Sequence, residues 1–392
     1  RRNNAVSDTL DFKFTMAREF DAGDLTLGID GYQADHDSVI TNPNNMMFEV
    51  VNFNNVKDDR YGLFAEWQQQ INDMNLHVGA RLKQAQSDAG KVSTSMAMMM
   101  NGMGAMASEL QDEFNNADRS VDDTNVDIAI SLQKQINETL SAYVGVGVKS
   151  RAPSYQERYL WTPMESTGGL ADGNTYIGDI DLESETAYQA DLGLTFTTND
   201  TLLSGHVYFQ NINDYIQGTA LGMEDMTASM MAQMMSGDDN PLKFTNVDAK
   251  LYGADINWAH QLSQQFSISG IVSYVRGERR DVNDSLYRIA PLNAQVDLTY
   301  NADNYIAKLN FTAVDAQNDV SATNEEMKSS GYGIVNLEGQ YFYNADLSVR
   351  VGIDNVFDKR YENHLTGYNR VKGSDIEVMD RLPGEGISGW VE

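Results

Sequence analysis

The connections between the apolar stretches of this chain alternate in length, short then long, and this restricts the fold more than any other feature. Short turns fall at 20–24 (FDAGD), 71–74 (INDM), 136–139 (INET), 198–200 (TND), 262–265 (LSQQ), 301–304 (NADN) and 344–346 (NAD). Long polar segments occupy 37–59, 88–120, 151–182, 212–242, 277–287, 317–330 and 359–385. Between them the sequence alternates with period two. In TLSAYVGVGVKS, Leu140, Ala142, Val144, Val146 and Val148 share one side, while Ser141, Gly145, Gly147 and Lys149 share the other. This is the signature of a strand with one apolar face, and LSVRVGID and MNLHVGARLK repeat it.

Hairpins that are tight at one end of a sheet and long at the other are the arrangement of an outer-membrane barrel. A soluble sandwich has no reason to sort its loops this way. The expected fold is therefore all-β, an antiparallel transmembrane β-barrel with short periplasmic turns and long extracellular loops. The segments amount to about fourteen and a half strands of about 10–15 residues, long enough to cross a bilayer at a tilt. Bacterial barrels close with an even number, so this barrel is expected to be incomplete, with partner strands upstream of residue 1. The opening RRNNAVSDTL and the closing GISGWVE, which stops within an alternating pattern, carry the same expectation of two cut ends.

Composition removes several alternatives. No apolar run approaches the length of a transmembrane helix, a finding that does not bear on strands. With 57 Asp and Glu against 28 Lys and Arg, the formal charge is −29, so phosphates are repelled and no nucleic-acid partner is expected. The chain has no cysteine, hence no disulfide and no thiolate metal site. RAPSYQERY contains Ser154 and Glu157 without a nearby histidine, and GVGVKS lacks the spacing of a phosphate-binding loop. The acidic pairs at 58–59, 122–123 and 238–239 lack calcium-loop spacing and read as solvated. No enzyme is expected.

Four segments carry a family resemblance. VGIDNVFDKRYENH places Asn355 at a strand end, where its amide can tie off the hairpin, followed by Phe357 and the charged exit Asp358, Lys359, Arg360, Tyr361. It resembles the Asn-Val/Leu-Phe-Asp-Lys/Arg-x-Tyr element of TonB-dependent outer-membrane receptors. KSRAPSYQERY resembles their mid-barrel Arg-Ala-Pro segment, and LESETAYQADLGLTF the strand after it. FTNVDAKLYGADINW is similar to their Asn-x(6)-Gly-x-Asp/Glu strand, with Asn246, Gly253 and Asp255 in place. The resemblance implies a barrel of about 22 strands with an N-terminal plug, importing a scarce ligand with energy delivered by TonB. Residues 1–392 then read as one partial barrel domain. Plug, TonB-contacting region and about seven strands lie outside this sequence. The implied location is the outer membrane of a Gram-negative bacterium, with its lipid and the TonB complex as partners.

Twelve of the 19 methionines stand in two of the long segments, so they are expected outside the membrane. One group is Met96, Met98, Met99, Met100, Met103 and Met106; the other is Met223, Met226, Met230, Met231, Met234 and Met235. The thioether is a soft, uncharged ligand suited to Cu(I) that needs no deprotonation. Met223, Met226, Met230 and Met234 are spaced as one face of a helix, which either coordinates metal or packs the loop onto its neighbour. MAMMMNGMGAM reads as too glycine-rich for a helical core. An exposed loop would more simply use leucine, which forms helices comparably, so metal capture is expected. Met46, Met47 and His36 form a smaller mixed thioether and imidazole set. His77 and His206 read as lumen residues. The resemblance to the copper-receptor branch of the family implies copper as the transported ligand. The alternatives are a receptor for a ferric chelate, marked by arginine and aromatic residues at the lumen mouth, and a passive porin-like barrel.

Overall fold

The computed structural model describes residues 1–164, 172–371 and 373–392. Its strands are β1 (Arg2–Phe20), β2 (Gly23–Asn42), β3 (Asn45–Ile71), β4 (Met74–Asp88), β5 (Ser93–Thr94), β6 (Val121–Gln135), β7 (Leu140–Arg151), β8 (Tyr176–Ile177) and β9 (Glu185–Thr197). They continue as β10 (Thr201–Ala220), β11 (Leu242–Gln261), β12 (Phe266–Arg279), β13 (Asn293–Asn301), β14 (Tyr305–Val314), β15 (Tyr332–Phe342), β16 (Ser348–Asp354) and β17 (Ser388–Val391). The helices α1 (Gly102–Asn116), α2 (Tyr155–Tyr159) and α3 (Met226–Ser236) all lie in connections.

Apart from the two-residue β5 and β8, the strands form one antiparallel meander in which each pairs with its predecessor, and β1 and β17 are its two edges. The expected barrel wall is thus observed, open along one seam. All seven predicted short turns separate consecutive strands, and they share one end of the sheet because up and down strands alternate.

Register converts the period-two pattern into two surfaces. Leu76, Leu132, Val144, Leu192, Val207 and Ala254 are successive lateral neighbours across β4, β6, β7, β9, β10 and β11. One residue along, His77, Ser131, Gly145, Asp191 and Tyr208 form the adjacent row. The first row belongs to an apolar belt: Val126, Ile128, Ile130, Val144, Val146, Leu192, Val207 and Phe209 are each 43–52% exposed. Such a belt is stable against lipid and not against water. The opposite face holds ion pairs, including Lys83–Asp127 at 2.8 Å and Lys308–Asp297 at 3.2 Å. His77 and His206 lie on this side, as expected, 4.0 Å from Glu66 and 3.6 Å from Asp191.

Two positions of the resemblance motifs have direct physical reasons. A Cβ at Gly253 would sit 2.3 Å from the Tyr274 carbonyl and 2.4 Å from the Tyr208 hydroxyl, so only glycine admits the tyrosine there. Asn355 has φ +49°, a left-handed conformation that asparagine tolerates. Its side chain donates to the Lys359 and Glu385 carbonyls at 2.9 and 3.0 Å and accepts from the Lys359 amide at 2.8 Å. It therefore ties the end of β16 to the approach of β17. Asn355→Ala removes these bonds, with an expected cost of about 0.5–1.5 kcal/mol, read as a lower melting temperature in detergent.

Two boundaries differ from expectation. The segment 37–59 is not a loop: β2 and β3 run on to a tight turn between Asn42 and Asn45. Likewise β10 extends to Ala220, past a bulge between Ile212 and Tyr215, so the connection to β11 starts later than expected. The projecting hairpin buries one side in the loops around it, with Ile40 and Val50 fully covered, and register shifts between His36 and Val39 interrupt its period of two.

Candidate functional site

At the end opposite the tight turns, the long connections fold together into a cap with the main apolar core of the described residues. The projecting β2–β3 hairpin contributes Ile40, Phe48, Val50 and Phe53. Met96, Ala107, Leu110 and Phe114 come from the β4–β6 connection, Tyr159, Trp161 and Tyr176 from the β7–β9 connection, and Ala228 and Met231 from α3. Burying each large side chain of this set stabilises the cap by about 1.5–3 kcal/mol.

Helix α1 is held at both ends. The Asn101 side chain accepts from the Gly104 amide at 2.9 Å, an N-cap. Arg119 donates to the carbonyls of Phe114, Asn115 and Ala117, each at 2.8 Å, satisfying the last turn. The glycine-rich start forms a helix after all, capped by Asn101, and a Cβ at Gly104 would lie 1.9 Å from the Met99 carbonyl. Glycine is what lets the Met98–Met100 run cross the helix so closely. Helix α3 ends on Gly237 at φ +73°, which only glycine adopts cheaply.

The two methionine-rich helices pack against each other, joined by a Thr227 hydroxyl donating to Glu109 at 3.0 Å. The fold thus brings together two groups that lie far apart in the chain. It also divides them. Met96 and Met231 are 1% and 0% exposed and belong to the core, so these two expected ligands are packing residues here. Met103, Met106 and Met235 are half-buried against the same core. Met98, Met99 and Met100 are 86%, 41% and 106% exposed, and Met223, Met226, Met230 and Met234 are 88%, 56%, 43% and 54% exposed. Met226, Met230 and Met234 of the stripe expected from spacing are therefore the solvent face of α3, Met223 stands on the 3-10 turn before it, and Ala228, Met231 and Ala232 form the packing face.

The mixed set of His36, Met46 and Met47 is not assembled. Met46 and Met47 stand at the hairpin tip, 97% and 83% exposed. His36 pairs with Val56 far back along the hairpin, about 20 Å from the tip at the rise of an extended strand. Its ring is stacked on Tyr155, centroids 4.3 Å apart.

Several polar residues, among them Asp58, Asp123 and Asp238 of the acidic pairs expected to be solvated, are structural supports of the cap. Ser154 and Glu157 form a reciprocal capping box on α2, and Arg151 bridges Glu157 and Glu185 at 2.9 and 2.6 Å. Asp58 binds Arg60 at 2.9 Å, and Asp238 accepts from the Thr175 amide and hydroxyl at 2.8 and 2.7 Å. Asp123 accepts from Arg158 at 2.8 Å and from Ser184 at 3.2 Å. Arg158 is 2% exposed. Tyr159 beside it donates to the Arg119 carbonyl at 2.8 Å, and burial pushes its phenol up to about 12.

The sequence reading passed over a second group, in which His364, Glu326, Ser329 and Arg381 are all buried. His364 contacts Glu326 and Ser329 at 3.0 Å each, joining the β14–β15 and β16–β17 connections. A lone histidine in a polar loop carries no local signal of this.

Asp284, in the β12–β13 connection, accepts from the Ala322 and Thr323 amides at 2.7 and 3.0 Å. Burial alone would raise its pKa, but these bonds and those from the Thr323 and Ser321 hydroxyls outweigh it and hold the carboxyl below the usual range. A depressed folded pKa lends stability that is complete above the unfolded value and lost as pH falls through the folded one. Hydrogen-exchange protection of the Ala322 and Thr323 amides is therefore expected to hold at neutral pH and to be lost only as the pH falls below the usual carboxylate range. An Asp284→Asn variant should not show this step.

Among the described residues, no group of three or more His, Asp or Glu side chains is placed to hold a metal ion, and no helix is long and apolar enough to cross a membrane.

Comparison with known proteins agrees with the architecture. Over 235 residues the chain is 23% identical to an iron-regulated outer membrane virulence protein of Vibrio cholerae serotype O1, covering 57% of this chain and 34% of that protein. It is 25% identical over 253 residues to the ferric enterobactin receptor PirA of Pseudomonas aeruginosa, covering 59% and 32%. The chain thus spans about a third of the curated relatives it matches. Among solved structures, the copper transporter OprC superposes with a TM-score of 0.77 at 20% identity, over 99% of this chain and 56% of that one. The FrpB iron transporter from Neisseria meningitidis gives 0.66 at 14% identity, over 99% and 54%. The family described as TonB dependent receptor-like, beta-barrel matches residues 1–356. A wall with a lipid-facing belt and a polar inner face, sorted turns and this family match lead to one conclusion: the chain belongs to the TonB-dependent receptor β-barrel family of the Gram-negative outer membrane.

Proposed function

We propose that this barrel serves a TonB-dependent receptor for metal uptake, and that its cargo is copper, taken first as Cu(I) by the methionines of the extracellular cap. One observation carries the reading: α3 packs with one set of residues and presents Met226, Met230 and Met234 to water on the other. Methionines that filled gaps would be buried. A solvent-facing row of thioethers costs hydration free energy and is suited to a soft cation. The similarity to a protein named as a copper transporter supports it. Capture would be followed by passage to the plug and TonB-driven release, with no chemistry on the cargo.

A ferric-chelate receptor is the second reading, and one feature favours it. A recess of about 460 Å³ on the inner wall is lined by Tyr32, Arg60, Arg81, Lys83 and Arg151. Yet these cations are already matched, to Asp58, Asp30, Asp127 and Glu157 with Glu185, which leaves little net field for an anionic chelate. Parallel titration of the full-length receptor in detergent with Cu(I) and with a ferric catecholate decides between the readings. Saturable Cu(I) binding without chelate binding is expected; the reverse overturns the copper reading.

A further inference from the structure

We propose that the exposed thioethers of the cap are a reversible oxidation site through which peroxide lowers the receptor's capacity for soft metal. The regulatory half rests on the copper reading above. Oxygen transfer needs access to sulfur, and the fold sorts access sharply. Met98, Met100 and Met223 are 86%, 106% and 88% exposed, whereas Met96, Met164 and Met231 are 1%, 1% and 0% exposed. The two classes are interleaved along the chain, with Met230 exposed and Met231 buried, so the selectivity is a property of the folded cap.

In the reaction the sulfur lone pair attacks one oxygen of hydrogen peroxide, the O–O bond breaks, and an S–O bond forms. Sulfur loses two electrons, peroxide gains them, and the second oxygen leaves as water with both protons. The sulfoxide is polar and a much poorer ligand for Cu(I) than the thioether. On a buried methionine it would place an unpartnered dipole within the apolar core that Leu110 and Tyr159 share. On the outer face of α3 it stays open to water. Within the two methionine clusters oxidation is thereby confined to the sulfurs open to solvent, and the cap keeps its packing. A dithiol-dependent methionine sulfoxide reductase returns the oxygen as water and restores the thioether.

The test is peroxide treatment of the full-length receptor in detergent, with peptide mass mapping, Cu(I) titration and thermal melting on the same samples. Oxygen is expected on Met98, Met100, Met223, Met226, Met230 and Met234 at least about tenfold faster than on Met96, Met164 and Met231. Cu(I) affinity should fall by at least about tenfold, melting should not move, and reductase should restore both sulfur and affinity. Equal oxidation of both classes, a melting loss that tracks oxidation, or affinity that reductase does not restore would overturn the proposal. The untreated sample separates the two ideas: if it binds no Cu(I), the copper reading and the regulatory half fall, and the oxygen map alone decides the selectivity.

Discussion

Replacing Met223, Met226, Met230 and Met234 together by leucine is expected to lower the Cu(I) affinity of the receptor by at least about tenfold, with no change in melting temperature. Leucine and methionine have nearly equal helix propensity, and none of these four side chains is buried. The substitution therefore removes sulfur and little else. Competition against a coloured Cu(I) chelator measures the affinity. The matched control is Met231→Leu, which exchanges one buried side chain for another of similar volume and should cost less than about 1.5 kcal/mol while leaving Cu(I) affinity unchanged. A quadruple variant that binds as tightly as the parent would show that the outer face of α3 takes no part in capture.

The second large effect is expected at Arg158. Its guanidinium is buried, donates to Asp123 at 2.8 Å, and also donates to the Ile180 carbonyl. Arg158→Met fills much of the volume but leaves the Asp123 carboxylate without its cation in a desolvated place. Breaking such a pair from one side costs about 3–5 kcal/mol. The loss should appear in the cap and not in the wall, because the strands are held by their own ladders. Limited proteolysis of intact outer membranes should cut within 155–164 or 172–184 in the variant and spare both stretches in the parent, with the barrel fragments staying paired. Adding Asp123→Asn to Arg158→Met should recover part of the protection, since the buried charge is then gone. Equal resistance of parent and single variant would show that this pair does not hold the cap.

The barrel was legible because its determinants are local. Alternation along Leu140–Val148 reports a strand between lipid and water, and turn residues such as those of INDM and NADN report hairpins a few residues long. Neither needs knowledge of the partner strand. Legibility failed where that boundary condition changes. Past the bilayer, the β2–β3 hairpin packs one side against other loops instead of lipid, and register shifts between His36 and Val39 break its period of two, so a projecting hairpin read as a loop. MAMMMNGMGAM read as non-helical because glycine lowers helix propensity, yet the close crossing of Met99 over Gly104 makes glycine the residue that fits.

The candidate site divides in the same way. Spacing alone placed Met223, Met226, Met230 and Met234 on one face of a helix, and composition marked both clusters for soft metal. Sequence could not say whether that face packs or stands in water, since this depends on which other loops arrive. The tertiary structure decided it: α1 packs on α3, Ala228 and Met231 join the core that the hairpin and the β7–β9 connection also enter, and the opposite face stays open to water. It also brought the two clusters side by side, separated His36 from Met46 and Met47, and turned Asp58, Asp123 and Asp238 from solvated charges into supports. A residue's period along the chain is set by its own backbone geometry and can be read from the sequence. Its burial is set by surfaces contributed from elsewhere, and that is known only once the chain has folded.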